Sequence, residues 1–171
     1  MNISIYAMTA LAAGLVLSAS CQQTGKTNET EAASADSVAH SSDTTLVASL
    51  QAKPLYELKD SISVLFTVQN PTDDTLRFTQ YHTPFEGFIS NFLTITDASG
   101  AEVSYIGAMT KRIMPPPADT YHTVAPGAQD SVRFSLVKGY RFEKPGIYTL
   151  QYNSGAISGI SNGSPIKIEL K

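Results

Sequence analysis

The side chains with most scope for chemistry are one thiol, three imidazoles and a scatter of serine hydroxyls along 171 residues. Their spacing restricts that scope. Cys21 is the sole cysteine, so its sulfur has no intramolecular disulfide partner and is left as a nucleophile or an acceptor of modification. His40, His82 and His122 are far apart in sequence; none has a second ligand at metal spacing, and the chain contains no HExxH helix motif. No metal site is expected. A catalytic serine would need a sharp turn of the form GxSxG, whereas Gly155-Ala156-Ile157-Ser158-Gly159 has the serine one place late and no following helix. No glycine pattern closes a strand and opens a helix, which removes nucleotide binding. The expectation is a chain without a catalytic centre and without a cofactor.

The position of Cys21 gives the thiol its reading. Ile3 to Leu17 is almost wholly apolar and is followed by Ser18, Ala19 and Ser20, the pattern of a cleaved secretory signal over residues 1–20. Leu17-Ser18-Ala19-Ser20-Cys21 resembles a bacterial lipobox, with its strongest apolar residue one place further from the cysteine than usual and no Lys or Arg before the apolar run. The resemblance implies lipid attachment at Cys21, and two acyl chains hold a protein stably on a membrane where one does not. An ordinary cleaved signal followed by an incidental thiol is the alternative. Lipidation places the chain in a bacterial cell envelope, facing the periplasm or the cell surface.

Residues 22–43 are mostly Thr, Ser, Ala, Glu and Asp without Phe, Tyr or Trp, too polar to offset the entropy of ordering. With Cys21 they form an expected disordered tether, residues 21–43, spanning roughly 25 to 30 Å as a random chain. The tether holds Lys26 against Glu29, Glu31, Asp36 and Asp43, while residues 44–171 carry equal numbers of acids and bases. A neutral domain without a basic stripe gives no reason to expect a nucleic-acid partner.

Elements that could position a site begin after Asp43, where the apolar period becomes two. Ile62, Val64, Phe66 and Val68 alternate with mainly polar neighbours, as do Val132, Phe134 and Leu136; Tyr148, Leu150 and Tyr152; and Ile166, Ile168 and Leu170. Weaker strands fit at 46–52, 75–79, 88–97 and 101–106, the last two joined through Asp97-Ala98-Ser99-Gly100. Asn70-Pro71-Thr72, Ala125-Pro126-Gly127 and Lys144-Pro145-Gly146 supply reversals. At most one helical turn fits Tyr140 to Glu143, and Gly155 to Ser164 reads as a mobile loop. The expected fold is all-β: an immunoglobulin-like antiparallel β-sandwich of seven or eight strands over residues 44–171.

The stretches left over are candidates for recognition, since loops on a rigid sandwich commonly carry binding. Phe85, Glu86, Met109, Lys111 and Arg112 are the candidate partner-binding residues; alternatively, Phe85 and Met109 cap the core and Pro115 to Pro117 stiffens a crossing between sheets. Asn70-Pro71-Thr72, Thr83-Pro84-Phe85-Glu86-Gly87, Tyr105-Ile106-Gly107 with Lys111-Arg112, Tyr121-His122-Thr123-Val124-Ala125-Pro126-Gly127, and Tyr140-Arg141-Phe142 before Pro145-Gly146-Ile147-Tyr148 together resemble the non-catalytic β-sandwich pro-region of aspzincin metalloendopeptidases. The resemblance covers residues 61–152 and implies a partner-binding sandwich related to a built-in inhibitor or chaperone; the zinc peptidase domain of that family has no counterpart in this sequence. A slighter similarity to chagasin-like cysteine protease inhibitors rests on Asn70-Pro71-Thr72, with Asp73-Asp74 where that family has Thr-Gly. The expected function is a membrane-anchored module that binds, and inhibits, an extracellular or periplasmic protease; the competing class is a structural or envelope-assembly lipoprotein. A degenerate relic of a peptidase, with no partner at all, is a third and lesser alternative.

Overall fold

The computed structural model describes residues 45–171. Cys21, His40, the signal segment and the tether lie outside the described residues. Twelve strands follow in order: β1 (Leu46–Ala52), β2 (Leu55–Tyr56), β3 (Ser63–Gln69), β4 (Leu76–Thr79), β5 (Leu93–Asp97), β6 (Ser104–Tyr105), β7 (Tyr121–Val124), β8 (Gln129–Ser135), β9 (Tyr140–Arg141), β10 (Gly146–Tyr152), β11 (Ile160–Ser161) and β12 (Ile166–Leu170). One four-residue helical turn, α1 (Gly155–Ser158), accompanies them.

The fold is all-β. Two four-stranded sheets have the orders β11-β1-β3-β8 and β2-β12-β10-β5; β4 with β7 and β6 with β9 form two-stranded ribbons. Alternation along the long strands decides which side is buried. Leu46, Ala48 and Leu50 of β1, Val64, Phe66 and Val68 of β3, Tyr148, Leu150 and Tyr152 of β10, and Ile168 and Leu170 of β12 all enter one hydrophobic cluster. Phe66 and Tyr152, from different sheets, meet with ring centroids 5.0 Å apart. Burying one such side chain completely contributes about 1.5 to 3 kcal/mol, so this shared layer joins the sheets.

Several details differ from the sequence expectation. Strand count is higher and pairing is mixed, because the two-residue strands β11 and β2 join β1 and β12 in parallel at the sheet edges. Only Leu93–Asp97 of the expected strand 88–97 is a strand, since pairing with β10 begins at Leu93 opposite Tyr152. The turn at Asp97 to Gly100 does form: the Asp97 N–H donates to Ala101 O at 2.9 Å, and Thr96 bridges Glu102. Beyond it the chain leaves β5 and changes partner, Tyr105 pairing with Tyr140. Tyr140 is therefore in a strand and not a helical turn. Its buried hydroxyl donates to Asn91 Oδ1 at 2.8 Å and accepts from the Leu93 N–H at 3.0 Å.

The segment read as a mobile loop instead carries α1 and β11. Its local order has identifiable causes. The Gly155 N–H donates to Asn162 Oδ1 at 2.9 Å, Ser158 is buried, and Ile160 enters the core beside Leu46. Gly163 then passes close to β1 with φ of 66°, and a Cβ there would overlap the carbonyl oxygen of Ala48. Gly127 has the same φ in open space. Gly163→Ala is expected to destabilise the domain by about 2 kcal/mol or more, and Gly127→Ala by only about 1 kcal/mol, read as urea unfolding midpoints. Equal midpoints would contradict the close approach.

Candidate partner-binding site

The candidate residues are positioned by a loop after β4. Thr83 caps a single 3₁₀ turn, Pro84–Glu86: its hydroxyl accepts from the Phe85 N–H at 3.2 Å and donates to Gln80 O at 2.7 Å. Proline at the first position suits such a turn, because its missing N–H would have no partner there. To enter it, His82 adopts φ of 57°, a left-handed conformation uncommon for a residue with a side chain.

The turn sends Phe85 and Glu86 inward. Phe85 packs on the core with its ring 5.4 Å from Phe78, 4.7 Å from His122 and 6.2 Å from Phe66. The Glu86 side chain is only 4% exposed, and its Oε1 accepts from the His82 N–H at 2.8 Å, from Ser90 Oγ at 2.9 Å and from Arg112 Nη2. The Arg112 side chain, 13% exposed, lies over the Tyr81 ring at 4.8 Å. Its Nε is buried without a hydrogen-bond partner, so the guanidinium is held by charge and stacking more than by a full donor set.

Arg112 belongs to an irregular strap, between β6 and the 3₁₀ turn before β7, that crosses this loop. Its first part is fastened by backbone bonds: Ile106 N–H to Gly139 O at 2.8 Å, Ala108 N–H to Phe88 O at 2.9 Å and Thr110 N–H to Ile89 O at 3.2 Å. Glycine suits position 107, since a Cβ there would crowd the Phe88 carbonyl oxygen as well as the Tyr105 hydroxyl. From Lys111 to Met114, among the described residues, no backbone hydrogen bond forms. Met109, Ile113 and Met114 are 72%, 71% and 65% exposed, and Lys111 is also exposed. After Pro117 the chain re-enters the domain through a 3₁₀ turn, Ala118–Thr120, and β7.

The five candidates thus divide. Phe85, Glu86 and Arg112 are brought together as the internal support, and Met109 and Lys111 face outward on the strap. Ile113 and Met114 were missed from the sequence; their signal was two large apolar residues beside a proline run, where no strand period could bury them. Beside the start of the strap, Ile106, Val137, Phe142, Leu58, Lys59 and Arg141 line a cleft of about 460 Å³.

Other groups of chemical interest are occupied in the fold. His122 Nδ1 lies 2.9 Å from Asp130 Oδ2, with its ring stacked on Phe78 at 5.0 Å. Ser158 Oγ accepts from the Tyr152 hydroxyl at 2.8 Å and donates to Ser154 O at 3.1 Å. Burial pushes the Tyr152 hydroxyl up to about 12, so it remains a donor. Asn70 is buried; its amide donates to Val124 O at 2.9 Å and its Oδ1 accepts from the Thr72 hydroxyl at 2.7 Å. The Asn70 side chain therefore holds this turn to β7, while Pro71 is exposed beside it. Among the described residues, no three His, Cys, Asp or Glu side chains could hold a metal ion.

No family model and no curated protein matches this chain. Solved structures with similarity include a β-glucosidase from Erythrobacter marinus, at 17% identity and a TM-score of 0.39 over 74% of this chain. A β-glucosidase from Listeria innocua bound to laminaribiose aligns at 11% identity and a TM-score of 0.36, again over 74% of this chain. The chain covers 16% of either enzyme, and similarity this slight carries nothing about fold or activity.

The support can be tested directly. Removing one partner of a buried pair leaves the other charge stranded, so Arg112→Ala is expected to cost about 3 kcal/mol in urea unfolding. The double variant Glu86→Ala/Arg112→Ala should lose less than the sum of the singles; simple additivity would show that the pair is uncoupled. His82 adds a pH dependence. Desolvation lowers its pKa from 6.5, opposed by nearby Glu86 and assisted by Arg112. Between the lowered folded value and 6.5 the unfolded chain binds a proton that the folded chain refuses, so stability rises with pH across that window and the full penalty applies below it. His82→Asn, which tolerates the left-handed backbone, should flatten this slope; an unchanged slope assigns it to another group.

Proposed function

We propose that the chain is a non-catalytic, lipid-tethered β-domain that binds another protein through the strap, the partner being an extracellular or periplasmic protease. One observation carries the binding reading: Met109, Ile113 and Met114 stand exposed on a segment that the buried Glu86–Arg112 pair pins to the domain between them. An isolated exposed apolar residue is ordinary, but three large ones within six positions concentrate apolar surface on one short segment that a partner could cover.

The backbone supports a polypeptide partner. Lys111 to Met114 lies outside any strand and presents N–H and C=O groups without backbone partners, which suits hydrogen bonding to the main chain of another polypeptide. Fixing the strap beforehand reduces the ordering cost of association. The protease assignment draws on the likeness to aspzincin pro-regions, and the membrane assignment on Cys21 in its lipobox-like setting. Within this reading Lys111 lies at the rim, where a charge guides encounter more than it adds affinity.

The test uses the full chain in its native envelope, with a photo-crosslinking side chain at Ile113. Capture of a protease is expected. Met109→Asp/Ile113→Asp should reduce capture at least tenfold, about 1.4 kcal/mol, without altering thermal unfolding. Crosslinks confined to envelope-assembly components would replace the protease reading with the structural one. Capture unaffected by the double substitution would remove the strap from the interface.

A further inference from the structure

Methionine is distributed unevenly in this protein. Residues 45–171 contain two, Met109 and Met114, and both are on the strap at 72% and 65% exposure. The hydrophobic core is built from Leu, Ile, Val, Ala, Phe and Tyr, with no thioether among its buried members. Leucine or isoleucine would fill the same exposed positions with a similar apolar area, as Ile113 does between them. Thioethers differ in one respect: their sulfur can be oxidised, and here both sulfurs belong to side chains open to solvent while no core residue shares that liability.

We propose that Met109 and Met114 form an oxidation-sensitive modification site, at which a peroxide converts the apolar strap into a polar one and releases its partner. This rests on the strap being the binding surface. In the reaction a sulfur lone pair attacks a peroxide oxygen, the O–O bond breaks and the S–O bond forms. The departing hydroxide takes a proton and leaves as water. Each sulfur loses two electrons and the peroxide gains them. The sulfoxide is a strong hydrogen-bond acceptor, and burying it at an interface without a donor carries a desolvation cost. Reversal requires a dithiol reductant acting through a methionine sulfoxide reductase, which removes the oxygen as water and ends as a disulfide.

The arrangement also confines the effect. The anchoring contacts of the strap involve Arg112, Glu86, Ser90 and Tyr81 and the backbone of residues 106–110, none of which uses a sulfur. Oxidation therefore changes what the strap presents and leaves the strap where it is. Lys111, between the two sulfurs in sequence, is unaffected and keeps its charge.

The experiment treats the full chain with hydrogen peroxide and follows three readouts: sulfoxide at each methionine by peptide mass spectrometry, retention on a hydrophobic-interaction column, and crosslink capture from the native envelope. Expected results are sulfoxide at Met109 and Met114, earlier elution, unchanged thermal unfolding, and at least a tenfold loss of capture that methionine sulfoxide reductase restores. Met109→Leu/Met114→Leu should capture before and after peroxide alike. Oxidised protein that still captures its partner overturns this inference and leaves the binding reading intact. Untreated protein that captures nothing overturns both, and loss of capture in the leucine variant on treatment assigns the sensitivity elsewhere.

Discussion

A carboxylate removed from water must be surrounded by donors, and much of this domain's irregular structure answers that requirement at Glu86. The donors come from three places in the chain: the His82 N–H, the Ser90 hydroxyl and the Arg112 guanidinium. Bringing the first to Oε1 requires the chain to reverse tightly, which Thr83 and Pro84 accomplish and for which His82 takes a left-handed backbone. Bringing the third requires a segment 26 residues later to cross the loop. The cost of an unsatisfied buried charge is several kcal/mol, larger than the strain of one unusual φ angle, and so the carboxylate decides the local backbone.

This matters because no disulfide can fasten loops in a chain whose one cysteine lies at position 21. The domain must hold its long connections by burial and hydrogen bonding. Aromatic side chains do most of this. Phe88 stacks on Phe92 and meets Phe134 and Tyr140 edge-on, fastening the connection before β5, while Phe85 joins Phe66, Phe78 and His122 below the 3₁₀ turn. Each pair adds about 0.5 to 1.5 kcal/mol beyond its buried area. Gly139 sits beneath the Phe88 ring because a Cβ would overlap it, so the aromatic cluster also selects a residue that sequence pattern leaves unexplained.

How much could be read in advance follows from the range of the interactions. Alternation in β3, β10 and β12 is local and marks strands directly, and the turn at Asp97 to Gly100 is written in its own residues, with Asp97 Oδ1 accepting from the Ser99 N–H at 2.8 Å. Edge strands of two residues carry no period, so β2, β6, β9 and β11 are visible only once their partners are known. Tyr140 has the same difficulty: nothing near it in sequence reveals that Tyr105 and Leu93 fix its hydroxyl and backbone. At the candidate site, residue types were informative but roles were not. Glu86 and Arg112 have opposite charges at a separation that no local rule connects, and Phe85 reads equally well as a surface anchor or a core cap until Phe78 and His122 are placed beside it.

The consequence of this division is an independence between stability and surface chemistry. The groups that fix the strap, Arg112 and the amides of Ile106, Ala108 and Thr110, point into the domain or along its backbone, whereas Met109, Lys111, Ile113 and Met114 contribute little to the hydrophobic core. Substitutions at the outward positions therefore change what is presented without opening a cavity or stranding a charge, the two commonest routes to large destabilisation. Substitutions at the inward positions do the reverse. A loop whose geometry is set by one layer of residues and whose surface is set by another can change that surface at little cost to folding, because the layer that meets solvent is not the layer that holds the fold.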